Sequence, residues 1–133
     1  DNHIGAEGAR FLAAALERNS TLKTLYLGNN NIGDEGARCF ATALERNSSL
    51  TTLSLGSNNI GNEGARFLAT ALERNRTLKT LYLGNNNIGE ENILVSIERY
   101  LRRNRKIQKA WREGRRRKAL LLWVLWNGVR TRP

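Results

Sequence analysis

The chain has no methionine, one cysteine and a single proline, which is its last residue. Without methionine it is not an intact translation product that kept its start. With Cys39 alone no intrachain disulfide can form. Extracellular repeat proteins are commonly stapled by cystines, so the single thiol points to an intracellular, cytoplasmic setting. No apolar run reaches the ~18 residues needed to cross a bilayer, and no secretory leader is visible. The one histidine, His3, has no cysteine or second histidine at metal-ligand spacing, so no metal is expected. Gly28-Asn29-Asn30 lacks the spacing and the following Lys-Ser/Thr of a phosphate loop. No nucleophile–base constellation exists. These absences point away from an enzyme and from a bound cofactor.

What the chain does have is repetition. Ile4, Ile32, Ile60 and Ile88 lie 28 residues apart. Residues 22–49 (LKTLYLGNNNIGDEGARCFATALERNSS) and 50–77 (LTTLSLGSNNIGNEGARFLATALERNRT) share 20 of 28 positions. A period of this size marks a stacked array whose units bury their apolar faces against one another. The chain opens in mid-repeat, since Asp1-Asn2-His3-Ile4-Gly5 aligns with Asn29-Asn30-Asn31-Ile32-Gly33. It therefore reads as a piece of a longer array, with an exposed first layer through which two copies could pair.

Within one unit, Leu25 and Leu27 alternate with Thr24 and Tyr26, the pattern of a half-buried strand. Gly28-Asn29-Asn30 signals a turn. Ala37, Phe40, Ala41 and Leu44 then follow at helical spacing. Asp34 and Asn62 read as N-caps of the helices they open. Strands pair about 4.8 Å apart, whereas helices pack at ~8–10 Å. The stack must therefore bend, with strands on the concave side and helices on the convex side.

The motif L-x-x-L-x-L-x-x-N-x-I-G occurs as Leu22, Leu25, Leu27, Asn30, Ile32, Gly33. It recurs from Leu50 to Gly61 and from Leu78 to Gly89. It resembles the leucine-rich repeat in its ribonuclease-inhibitor-like form, and the 28-residue copies look like the arrays of NOD-like receptors. The resemblance implies an α/β right-handed solenoid, a horseshoe segment with parallel strands inside and helices outside. It also implies that Asn30, Asn58 and Asn86, and Asn2 at the same position, turn inward and satisfy turn backbone. As a binding family it implies a protein partner without naming one. A regulatory array belonging to a larger multidomain protein is a further reading.

By alternation, Thr24 and Tyr26, Thr52 and Ser54, and Thr80 and Tyr82 point away from the core. Lys23 and Lys79 precede them. Tyr26 and Tyr82 flank the small Ser54, a notch suited to a protein partner, because Tyr is enriched at binding hot spots. The bland reading is that Tyr and Thr are simply good strand residues. Three Asn-x-Ser/Thr triplets begin at Asn19, Asn47 and Asn75. Their fixed repeat position reads as a turn residue rather than as three glycan sites.

Charge is uneven. Residues 1–89 hold nine Lys/Arg against eight Asp/Glu, and residues 90–133 hold thirteen against four. The repeat drifts after Ile88, so the array is placed at residues 1–106 and a basic and apolar C-terminal cap at 107–133. Residues 107–112 read as a degenerate last strand or a turn, with Trp111 at the tyrosine position. Arg102, Arg103, Arg105, Lys106, Lys109, Arg112, Arg115, Arg116, Arg117 and Lys118 form a candidate anion-binding cluster. It is suited to weak contact with nucleic acid or anionic lipid. The eight apolar residues 119–126 could cover the last layer of the array, rest on a membrane or bind a partner.

Overall fold

The structure is a computed structural model that describes residues 2–130, with side-chain surroundings for residues 2–122. The elements alternate: α1 (Gly5–Arg18), β1 (Thr24–Tyr26), α2 (Gly33–Arg46), β2 (Thr52–Ser54), α3 (Asn62–Arg74), β3 (Thr80–Tyr82) and α4 (Glu91–Arg130). The strands form one parallel sheet in the order β1-β2-β3. Each strand pairs with its counterpart one repeat away, Leu25 with Leu53 and Leu53 with Leu81. Helices stack in the same order, α1 on α2 on α3 on α4. This is the α/β leucine-rich repeat fold, one strand and one helix per repeat.

The repeat's apolar positions supply the core. Leu50, Leu53, Leu55, Ile60, Leu68 and Leu72 of the central unit are all fully buried. Each contributes about 1.5–3 kcal/mol relative to an exposed side chain. The helices approach closely because small residues line their contact. A Cβ built on Gly36 would lie 3.0 Å from the Cβ of Ala9, and one on Gly64 would lie 3.0 Å from the Cα of Asp34. Phe11 and Leu22, in the first unit, are 61% and 38% exposed.

Two asparagine ladders run through the stack. Asn58 is fully buried and uses both ends of its amide. Its Oδ1 accepts from the N–H groups of Asn30 (2.9 Å) and Ile32 (3.3 Å). Its Nδ2 donates to the carbonyls of Leu27 (2.8 Å) and Gly56 (3.0 Å). Asn86 serves the next turn in the same way, accepting from Asn58 and Ile60. Asn30 donates to Leu27 and Gly28 and accepts from the backbone N–H of Asn2. Asn2 does not join as a side chain, because its own is exposed.

The second ladder stands where the helices return to the strands. Asn47 Oδ1 accepts from Ser49 and Leu50 while its Nδ2 donates to Leu16 and Asn19 of the preceding unit. Asn75 repeats the arrangement against Thr77, Leu78, Leu44 and Asn47. These are turn residues, and Asn47 and Asn75 are too buried to present an amide for modification.

The turns that carry the first ladder are left-handed at flanking positions. Asn29, Asn31, Ser57, Asn59 and Asn85 all have φ between 55° and 59°. Asn tolerates this region because its short amide bonds locally, which accounts for the asparagine-rich turns.

Two expectations need correcting. Asp34 and Asn62 do not cap their own helices. Asp34 Oδ1 accepts from Gly61 (2.7 Å) and Gly64 (3.0 Å), so it caps the start of α3. Asn62 Oδ1 accepts from Gly89 (2.8 Å) and Glu90 (3.1 Å), the approach to α4. α2 already begins at Gly33, so Asp34 lies inside it and its side chain is free to reach across.

The second correction concerns the C-terminal third. Residues 107–112 are neither strand nor turn. They continue α4, a single helix of 40 residues with no break at 106. Asn104 keeps the ladder position, fully buried and donating to the carbonyls of Asn75 (3.0 Å) and Leu78 (2.8 Å). Its Oδ1, however, accepts from Arg103 instead of turning the chain. A fourth strand would place Arg112 at a core leucine position, a buried unpaired charge. The Arg-, Lys-, Gln- and Ala-rich sequence favours helix instead. The last layer is covered by Ile93, Ile97 and Leu101 from the first turns of α4, all buried. Leu120, Leu121 and Leu122 are 60–62% exposed and cover no layer of this chain. Trp123 to Trp126, the rest of that apolar run, lie outside the residues whose side chains are described.

Candidate partner-binding site

The strand register sets the outward rows. Thr24, Thr52 and Thr80 stand in line, and so do Tyr26, Ser54 and Tyr82. Tyr26 is 74% exposed and Tyr82 is 54% exposed. The two phenols are not equivalent, because Tyr82 leans over the turn glycines. A Cβ on Gly56 would meet its Cε1 at 2.6 Å, and one on Gly84 would meet its hydroxyl at 2.4 Å. Lys23 is exposed and Lys79 half-buried, one step before the rows. Burial, and secondarily repulsion from Arg112, push the Lys79 ammonium below its ordinary pKa.

Trp111 does not extend the tyrosine row. It lies on α4, 65% exposed, and faces the segments that lead into the strands. Together α4 and these segments enclose a cleft of about 470 Å³. Its α4 wall carries Trp111, Arg112 and Arg115, and its opposite wall carries Lys23, Arg76 and Thr77. Gln108 Nε2 donates to the carbonyl of Thr77 at 2.8 Å and holds the two walls together. Sequence reasoning missed Arg76 and Gln108. Arg76 sits in a turn and Gln108 lies 31 residues from its partner Thr77, so neither periodicity nor spacing marks them.

The ten candidate anion-binding residues are not one cluster. Arg103 donates to the carbonyls of Leu72 (2.8 Å), Glu73 (3.3 Å) and Asn75 (2.9 Å), which close the C-terminus of α3. A cation suits that negative helix end. Burial, and then Arg76, lower its pKa. Arg105 pairs with Glu98 and donates to the carbonyl of Lys79 at 2.8 Å. Arg112 and Arg115 line the cleft. Arg102, Lys106, Lys109, Arg116, Arg117 and Lys118 are exposed along α4. No group of three or more His, Cys, Asp or Glu side chains capable of holding a metal occurs among the described residues. No helix among them is long and apolar enough to cross a membrane.

Residues 2–116 match the family model described as the TMOD/LMOD leucine-rich domain. The chain belongs to this family. The leucine-rich repeat resemblance therefore holds at the level of the repeat, while the family is the tropomodulin/leiomodin one rather than that of the NOD-like arrays. Two solved structures share the fold. One is titled "Leiomodin-1 Actin-Binding Site 2 (ABS2)", at 24% identity and a TM-score of 0.69, aligned over 86% of this chain and 82% of that one. The other is the tropomodulin C-terminal domain from Caenorhabditis elegans, at 18% identity and a TM-score of 0.75, over 84% and 67%. At these identities the likeness speaks for the fold alone. No curated protein sequence matches the chain significantly.

Proposed function

We propose that the chain binds actin, and that it does so through the outward face of its strands, with Tyr26 and Tyr82 as anchors. Membership of the tropomodulin/leiomodin leucine-rich family over residues 2–116 carries this reading. The structure titled as an actin-binding site of leiomodin supports it. The repeat's ribonuclease-inhibitor-like form would make that face concave and stiff, with little ordering lost on binding. Thr24, Thr52, Ser54 and Thr80 supply hydroxyls between the two phenols, with Lys23 and Lys79 at one margin. An intracellular setting follows from the same reading. Co-sedimentation with filamentous actin and gel filtration with monomeric actin test it. The wild-type chain should be captured in at least one assay, and Tyr26→Ala/Tyr82→Ala should lose at least about tenfold in affinity. Capture unaffected by the double substitution would move the interface off the strands. No capture in either assay would end the actin reading.

A second reading is favoured by one observation: exposed Leu120, Leu121 and Leu122 directly follow the Arg115–Lys118 run on α4. A basic helix segment with an apolar end suits an anionic lipid surface. Flotation with anionic vesicles, with and without residues 115–126, tests it. Equal flotation of both forms refutes it.

A further inference from the structure

We propose that the cleft between α4 and the segments leading into the strands receives an acidic segment of a protein partner. In this reading Lys23, Arg76, Arg112 and Arg115 hold its carboxylates, and Trp111 seats an adjoining apolar side chain. The inference rests on the reading of the chain as a protein-binding module and adds the chemistry of what it recognises.

Among the described residues, four cations line one cleft and no aspartate or glutamate does. Some basic groups elsewhere on the surface are answered locally. Arg46 pairs with Glu17, Arg74 with Glu45 and Arg105 with Glu98. Two of the cleft's arginines also stand near a cation outside it. Arg112 is close enough to Lys79 to oppose its charge, and Arg76 does the same to Arg103. Like charges held together raise the local potential and are relieved by an anion. Walls of low polarizability around them concentrate that field.

The cleft is also shaped for a peptide. About 470 Å³, open to solvent, accommodates a few side chains. Ile107 and Trp111 give it an apolar floor. Arg115 lies over the Trp111 ring at 5.8 Å, an ordinary cation–π distance. A single aromatic is no stacking platform for successive bases, which single-stranded nucleic acid binding needs. A flat bilayer cannot reach into a concavity. An extended chain carrying carboxylates at intervals and one apolar side chain can, and Arg forks match carboxylates in two-point contacts. The cleft is stiff, because Gln108 bonds one wall to the other and Asn104 and Arg103 fix α4 to α3.

The test uses the whole chain and a fluorescein-labelled Glu-Leu-Glu-Glu-Leu-Glu peptide, with Gln-Leu-Gln-Gln-Leu-Gln as its neutral counterpart. Anisotropy should show binding of the acidic probe, weakened by added salt, and none of the neutral one. Arg76→Gln/Arg112→Gln should weaken the acidic probe about tenfold, from two lost exposed ion pairs. Trp111→Ala should weaken it with its salt dependence kept. Arg117→Gln/Lys118→Gln removes the same charge outside the cleft and should change the affinity less than about twofold. If this remote pair weakens binding as much as the cleft pair, the effect is net charge and the proposal fails. It also fails if oligo-dT or anionic vesicles bind through the cleft residues more tightly than the peptide. The actin reading is judged separately. Probe binding without any actin capture sinks that reading alone. Actin capture with no probe binding, unmoved by Arg76→Gln/Arg112→Gln, sinks the cleft alone.

Discussion

The ring of Tyr82 lies over Gly56, one strand back, so close that a Cβ there would fall 2.6 Å from its Cε1. The equivalent ring on β1, that of Tyr26, stands freer, at 74% exposure against 54%. The orientation of Tyr82, one of the two proposed anchors, is thus tied to two glycines. Gly84→Ala should displace the Tyr82 ring, because its hydroxyl would meet the new methyl. The obstructing atoms are the far end of a movable side chain, so the melting temperature should hardly change. Partner affinity should fall while Tyr26-dependent contacts persist. Unchanged affinity would show that the Tyr82 pose is irrelevant to binding.

Asp34→Ala should cost about 1 kcal/mol, the usual loss of an N-cap. The damage should appear one repeat away. Hydrogen exchange should quicken at the amides of Gly61 and Gly64, whose acceptor is removed, while the first turn of α2 stays protected. Faster exchange at α2 instead would restore the local-cap assignment.

Asn58→Ala should be far more damaging. The N–H groups of Asn30 and Ile32 lose their acceptor in a buried site, and the carbonyls of Leu27 and Gly56 each lose one of two donors. Orphaned buried groups cost ~1–3 kcal/mol each before relaxation, and a total loss of at least about 3 kcal/mol is expected by urea unfolding. Asn2→Ala, with its exposed side chain, should be nearly neutral. Similar effects for the two would contradict the ladder's energetics.

Ser57 holds a left-handed φ of 55° where the two neighbouring repeats use Asn29 and Asn85. Ser57→Asn should therefore stabilise the chain by about 0.5 kcal/mol, a fraction of the 1–2 kcal/mol cost of that region. Thermal denaturation reads it directly, and a lower melting temperature would refute the account.

Lys79 has a depressed pKa in the folded chain, so the unfolded chain binds more protons just below the ordinary 10.5. Folding stability should rise with pH through that window as Lys79 sheds its charge. Arg112→Gln should raise the Lys79 pKa part of the way, since burial remains the larger cause. NMR titration of the Lys79 side chain measures it. No movement on substitution would remove Arg112 from its surroundings.

The strand rows were legible because a period of two within a period of 28 leaves each side chain one place to go. Tyr26, Ser54 and Tyr82 align in the sheet as they do in the text. The helix caps were not legible, because Asp34 and Gly61 are 27 residues apart and a sequence-local rule assigns the carboxylate to the nearer helix. The C-terminal third was misread for a different reason. Ile107 aligns with Leu78, but the alignment is worth little once Arg112 occupies a leucine position. Helical propensity then decides. The cleft, finally, assembles residues from three helix-to-strand segments and a helix. No motif announces it.

α4 carries its own phase reference. Arg103, Asn104 and Gln108 clamp it to the array, and beyond them each residue turns the helix by about 100°. The azimuth of every distal side chain is therefore counted from that clamp. One residue inserted at Lys109 would swing Trp111, Arg112 and Arg115 off the cleft without touching the array. Length in this segment is as much a part of recognition as chemistry.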